Sequence, residues 1–258
     1  VGLGTVGSGV IKSIEKNKEY FKNNYDVKFN IIGISANSKN KERSFDVESY
    51  QWFDKPLELI SENNIDTIIE LVGGEDGLAY ELAINSLKNK MNFITANKAL
   101  ISKHGEELAL LSEENNNFFG FEASVAGGIP IIKTLKESII LNEIQKIFAI
   151  LNGTSNYILS NMSKLQISFE EALKDAQDKG YAESDPTLDI NGEDTAHKLS
   201  ILNSIIFSEI PSVESIYVNG IEDVELIDHH YSSYFGYNIR LIAQSDITDE
   251  GVYKEVTP

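Results

Sequence analysis

Four short apolar runs, at residues 27–34, 65–72, 92–96 and 118–123, alternate with segments whose apolar residues recur at helical spacing. The helical segments run from residue 10 to about 23, then over 57–63, 78–90 and 100–115. A side-chain period of two and a period of 3.6 cannot share one element. Alternating strands and helices therefore lay the strands parallel, with helices over both faces. The run 65–72, I-D-T-I-I-E-L-V, is almost wholly apolar, as a strand buried on both faces requires. Residues 1–125 are expected to form a doubly wound parallel sheet of the α/β class.

Ahead of the first run stands V-G-L-G-T-V-G-S-G-V, in which Gly2, Gly4 and Gly7 make G-x-G-x-x-G. In a Rossmann-type sheet these glycines give a tight turn, close backbone approach to a pyrophosphate, and close helix packing. Gly2, Gly4, Thr5, Val6 and Gly7 are the candidate nucleotide contacts. Alone, such a turn is weak evidence, because glycine-rich turns are common. Gly73-Gly74 ends the run 65–72 and would let backbone approach the same ligand at the carboxyl end of the sheet. The segment after 27–34 is S-A-N-S-K, with no carboxylate for a ribose hydroxyl, and Lys39, Lys41 and Arg43 lie nearby. That leans toward NADP over NAD, although an ordinary connecting loop has the same composition. The strand that should precede Gly2 is missing, so the sequence reads as clipped there.

Forty acids against 22 bases give a net charge of −18. A non-specific nucleic-acid binder needs a basic surface, so that class is disfavoured. The chain has no cysteine, which removes disulfides, thiolate zinc sites and cysteine nucleophiles, and fits a cytoplasmic protein. The four histidines (His104, His197, His229, His230) form no H-x-x-x-H pair, so a catalytic zinc is not expected. No apolar run reaches eighteen residues, so no membrane span is expected.

Residues 126–258 read as an α+β domain. Strands are expected at 146–151, 213–218, 238–247 and 252–256, and helices from 152 onward, after Ser168, after Asn191 and over 228–234. Ser168 and Glu171 have the capping-box spacing, and Gly180 suits a helix stop. Between these helices lies G-Y-A-E-S-D-P-T-L-D-I-N-G-E-D-T-A-H-K, residues 180–198. Pro186 forbids helix continuity there. Asn191 is the expected N-cap, with Glu193 and Asp194 in the first turn, where the helix dipole favours acids. Asp194 and Lys198 are four apart and share a helix face. On this stretch alone the pair reads as a solvated surface pair, contributing about 0.2–0.5 kcal/mol.

Two further stretches carry candidates. Lys98 follows a strand end on the ligand side of the sheet, at a helix start that disfavours cations, so binding a phosphate or a substrate carboxylate, or orienting a carbonyl, is preferred to a solvated lysine. The loop E-A-S-V-A-G-G-I-P, residues 122–130, reads as a hinge, with Pro130 in the first turn of the next helix. Its backbone carbonyls could also converge on a monovalent cation.

Taken together, G-L-G-T-V-G (2–7), T-A-N-K-A-L (95–100), F-E-A-S-V-A-G-G-I-P-I (121–131), L-N-G-T-S-N-Y-I-L (151–159) and G-Y-A-E-S-D-P-T-L-D-I-N-G-E-D-T-A-H-K-L (180–199) resemble the homoserine dehydrogenase family, in order along the chain. The last two are highly specific. The resemblance implies a nucleotide-binding domain (1–125) and a substrate and dimerisation domain (126–258), reducing aspartate β-semialdehyde to homoserine with NADPH or NADH. By the same resemblance Lys198 is the proton donor, Glu183 and Asp194 hold the amino acid, and Asp189 helps orient lysine or substrate. Lys98 stands at the cofactor and substrate junction. Glu122, Val125, Gly127 and Ile129 bind a sodium ion, and the protein is a homodimer or higher oligomer. Family members continue past G-Y-N-I-R-L-I-A, and many bacterial ones add a regulatory domain, so the sequence reads as clipped at its end as well.

Two other readings stay open on the residues. A nicotinamide oxidoreductase acting on a sugar or phosphorylated substrate would want basic residues where 180–198 is acidic. A non-catalytic nucleotide-binding module would not need Lys98, Glu183, Asp194 and Lys198 together. His197, between Ala196 and Lys198, reads as a packed neighbour of the site rather than a proton donor.

Overall fold

The alternation of periods seen in the first half builds a parallel sheet in the computed structural model, which describes residues 1–258. The chain divides into two compact units, Val1–Gly128 and Ile129–Pro258.

In the first unit, helix α1 (Thr5–Tyr25) follows the glycine turn, and strands β1 (Gly33–Ile34) and β2 (Gln51–Trp52) pair in parallel. Strands β3 (Thr67–Glu70), β4 (Asn92–Thr95) and β5 (Phe119–Gly120) form a second parallel ladder, connected by α2 (Leu78–Lys88) and α3 (Lys98–Asn115). Residues 1–3 stand between the two ladders. Val1 donates to the Ile69 carbonyl (2.7 Å) and accepts from the Leu71 amide (2.8 Å), while the Gly2 amide donates to Ser35 O (2.9 Å). The spatial order is thus β2-β1-(1–3)-β3-β4-β5. The core is made by the inward faces of α2, α3 and the sheet, with Leu82, Leu87, Phe93, Leu100 and Leu108 fully buried.

The expected strand at 27–34 shortens to β1. Residues 27–32 have no ladder partner and instead line a cavity of about 510 Å³, and extended backbone without a ladder is not a strand. The segment at 57–63 is a 3₁₀ turn, Pro56–Ser61. The run 118–123 keeps only β5 before a 3₁₀ turn at Glu122–Ser124.

The second unit holds α4 (Ile131–Lys133), which continues as a π-helical turn over Thr134–Ser138, then β6 (Lys146–Ala149), α5 (Gly153–Leu165) and α6 (Phe169–Asp178). There follow α7 (Thr187–Ile190), α8 (Glu193–Phe207), β7 (Tyr217–Val218), α9 (Leu226–Tyr234), β8 (Ile242–Thr248) and β9 (Gly251–Thr257). Strands β6, β8 and β9 are antiparallel neighbours, and β7 pairs in parallel with β9. Alternation splits the sheet into two faces. Ile147, Ala243, Ser245 and Val256 point inward with α8, whereas Phe148, Tyr217 and Tyr253 stay exposed on the other face. Helix α6 has the expected capping box between Ser168 and Glu171.

No helix is long and apolar enough to cross a membrane.

Candidate active site

The nucleotide-type turn is built as its glycines require. Gly2 has φ +88°, and a Cβ there would lie 2.4 Å from the Leu71 carbonyl oxygen. A Cβ on Gly7 would lie 1.9 Å from the Gly2 oxygen. Only hydrogen fits at either position, so the start of α1 lies directly against the strand end. Gly4 is the N-cap and makes no side-chain cap bond, and a Cβ on it would meet nothing within 4 Å. The opening amides of α1, from Thr5 and Val6 onward, therefore face open space at the positive end of the helix dipole, which fits a pyrophosphate.

Past β1 two of the three bases, Lys39 and Arg43, are already partnered. The Arg43 guanidinium donates to the carbonyls of Ser38 (2.6 Å), Lys39 (3.1 Å), Lys41 (3.0 Å) and Leu3 (3.4 Å), and lies 5.7 Å over Trp52. Lys39 pairs with Glu48 at 2.9 Å on the surface. Gly73, with φ +87°, opens the loop after β3. Lys98 is the first residue of α3, half-buried, behind Asn97, whose side chain caps the helix by accepting from the Leu100 amide (3.1 Å).

A polar cluster of the second unit joins α7 and the starts of α5 and α8. The Lys198 ammonium donates to Asp194 Oδ2 (2.6 Å) and to the Leu151 carbonyl (2.9 Å). Their side chains are only 19% and 9% exposed, which removes this pair from the class of wet surface pairs. Asn152 is the residue the sequence reading missed. Its Nδ2 donates to both Asp189 Oδ1 (2.7 Å) and Asp194 Oδ2 (2.8 Å), while its Oδ1 caps α5 by accepting from the Ser155 amide (2.8 Å). Asp189 is locked further, its carbonyl accepting from Ser155 Oγ (2.6 Å). One amide side chain thus ties together two acids that lie about forty positions along the chain. The N-x-x-S cap spacing was visible in the sequence, but the acids it meets were not. We expect Asn152→Ala to remove a cap contributing about 1 kcal/mol, seen as a lower melting temperature in thermal unfolding.

Glu183 is exposed on the loop and lies outside this network. His197 is half-buried one residue before Lys198, and neighbouring helix positions do not face each other. Asn191 is not the N-cap: Gly192, at φ +88°, takes that position, and Asn191 Oδ1 accepts from the Glu193 amide (2.9 Å) one residue outside it. The left-handed backbone needed there favours glycine over asparagine. The loop contains a short helix, α7, seeded by Asp185 Oδ1 accepting from the Thr187 amide (3.2 Å) and hydroxyl (2.6 Å).

Of the candidate cation ligands, Val125 is fully buried and Gly127 has φ +55°, next to Ala126 at +56°. Glu122 lies in the 3₁₀ turn. The Ile129 carbonyl accepts from the Ile131 amide (2.8 Å). No group of three or more carboxylate or imidazole side chains could hold a metal ion.

Residues 2–122 match the family described as "Homoserine dehydrogenase, NAD binding domain", and residues 130–258 match the family described as "Homoserine dehydrogenase". The chain belongs to the homoserine dehydrogenase family. A homoserine dehydrogenase of Helicobacter pylori is 44% identical over 243 residues, covering 94% of this chain and 56% of its own. That of Methanocaldococcus jannaschii is 34% identical, covering 95% of this chain and 79% of its own. The crystal structure of the homoserine dehydrogenase from Thiobacillus denitrificans superposes with a TM-score of 0.93 at 36% identity, over all of this chain and 59% of that one. The chain thus spans under two thirds of the length of several of its homoserine dehydrogenase relatives.

Proposed function

We propose that the protein containing this chain interconverts L-aspartate 4-semialdehyde and L-homoserine with a nicotinamide nucleotide, in threonine, methionine and isoleucine biosynthesis. One observation carries the reading: a largely buried lysine ammonium, fixed by Asp194 and the Leu151 carbonyl, at the end of an acidic loop. A reduced nicotinamide held at the glycine turn would supply a hydride to the aldehyde carbon. Negative charge then grows on the aldehyde oxygen. Lys198 stabilises that charge and delivers the proton. Asp194 and the exposed Glu183 receive the substrate ammonium, and Asp189, through Asn152, keeps Asp194 aimed at the lysine. Lys98 serves the ligand end of the first unit's sheet. Gly2, Gly4, Thr5, Val6, Gly7 and Gly73 line the nucleotide.

NADP is the proposed cofactor. The segment after β1 lacks a carboxylate, and Lys39 and Lys41 remain exposed beside it, whereas Arg43 adds charge while its donors serve backbone carbonyls. Carbonyls of Glu122, Val125, Gly127 and Ile129 are the proposed sodium ligands. A homodimer is proposed through the open sheet face, where Phe148 and Tyr217 share a register row with Gln244 and Glu255. The proposed location is the cytoplasm.

The test is a full-length form given homoserine with NADP or NAD, followed at the reduced-nicotinamide absorbance band. Reduction that depends on homoserine, faster with NADP, is expected. No signal with either nucleotide removes the proposal.

A further inference from the structure

Apart from Asp194, the only buried carboxylate of the chain is Glu70, the last residue of β3, with 0% exposure. A carboxylate out of water is costly unless its oxygens are fully hydrogen-bonded. Three donors meet this one. The Val72 and Gly73 amides donate to Oε1 (2.5 and 3.0 Å), and the Thr95 hydroxyl donates to Oε2 (2.6 Å). Thr95 is Glu70's register partner at the end of β4. Its Oγ1 in turn accepts from the Asn97 amide (2.9 Å), and Asn97 Nδ2 donates to the Gly74 carbonyl (2.5 Å). The circuit closes on itself: loop 72–74, Glu70, Thr95, Asn97, and back to the loop. It joins the only two ligand-side turns that carry Gly73 and Lys98, and ligands of open α/β sheets bind outside the carboxyl ends of the strands.

We propose that Glu70 is a positioning residue, holding the diglycine loop directly and the Asn97-Lys98 turn through Thr95, both in their working geometry. This rests on the activity proposed above for the effect on rate, though not for the effect on nucleotide binding. The acceptor-only carboxylate is matched to three donors. A glutamine would keep one oxygen for the two amides and present Thr95 with a donor where an acceptor is needed.

The test uses the full-length enzyme with Thr95→Val, which keeps the shape and deletes the hydroxyl, and Thr95→Ser, which restores it. For Thr95→Val, kcat/KM for homoserine is expected to fall about tenfold or more, with near-normal circular dichroism. Thr95→Ser should return it toward the wild-type value. In a Lys98→Ala background Thr95→Val should add no further loss, because it acts through that turn. Wild-type rates in Thr95→Val, or losses that multiply with Lys98→Ala, overturn the inference. If Thr95→Val fails to fold, Glu70→Gln takes its place with the same expectations. A wild type inactive on homoserine sinks the proposed activity instead. Reduced-nucleotide binding, followed by nicotinamide fluorescence, then decides: weaker binding by Thr95→Val supports the circuit and unchanged affinity overturns it.

Discussion

Lys198→Ala is expected to lower turnover of the full-length enzyme by roughly 10²–10⁴-fold, the usual contribution of a positioned proton donor. Nucleotide affinity should change little, because the glycine turn belongs to the first unit. The variant also leaves Asp194 without its ammonium partner, and breaking a buried pair costs up to about 3–5 kcal/mol. Asn152 still donates to Asp194 at 2.8 Å, which lessens that cost. Lys198→Met keeps the aliphatic stem and separates the two effects. Both variants should be inactive, while the methionine form should melt closer to the wild type. Near-normal turnover in either one, measured on folded enzyme, contradicts the assignment.

Gly7→Ala is the second large effect. Its methyl would sit 1.9 Å from the Gly2 oxygen, a distance that only backbone movement relieves. Gly2 itself carries a bond to Ser35 and lies against Leu71, so the strand end has little room to yield. Nucleotide binding is expected to drop beyond measurement, with a lower melting temperature. Gly4→Ala provides the contrast. Its Cβ meets no protein atom within 4 Å, so the fold should be unchanged and only the approach of the pyrophosphate should be hindered. A Gly4→Ala protein that melts as the wild type yet binds nucleotide weakly would place the ligand at this turn. Equal nucleotide affinity in wild type and Gly7→Ala would argue against it.

What could be read from the sequence, and what could not, follows from the range of the forces involved. The glycine turn, α1, the capping box of α6 and the Asp194–Lys198 face are set by residues within a few positions of one another. Local sterics and periodicity suffice there. The segment 27–34 has strand composition, but a strand exists only through a neighbour, and residues 27–32 have none. Asn191 looked like a cap, yet the backbone at the helix start is left-handed, so Gly192 takes the position. The depth of the Asp194–Lys198 pair was invisible because α5 and the Leu151 carbonyl provide it from more than forty residues away. Asn152 and Glu70 were passed over for the same reason. Each looks like an ordinary cap or strand residue until its partners from distant elements are in place.

The assignment of Lys198 is tested most directly by a crystal structure of the full-length enzyme with reduced nucleotide and homoserine bound. It predicts the homoserine hydroxyl oxygen within hydrogen-bond reach of Lys198 Nζ, roughly 2.6–3.2 Å, with the substrate ammonium against Glu183 and Asp194. Homoserine bound elsewhere, or with its hydroxyl turned away from Lys198, would contradict it.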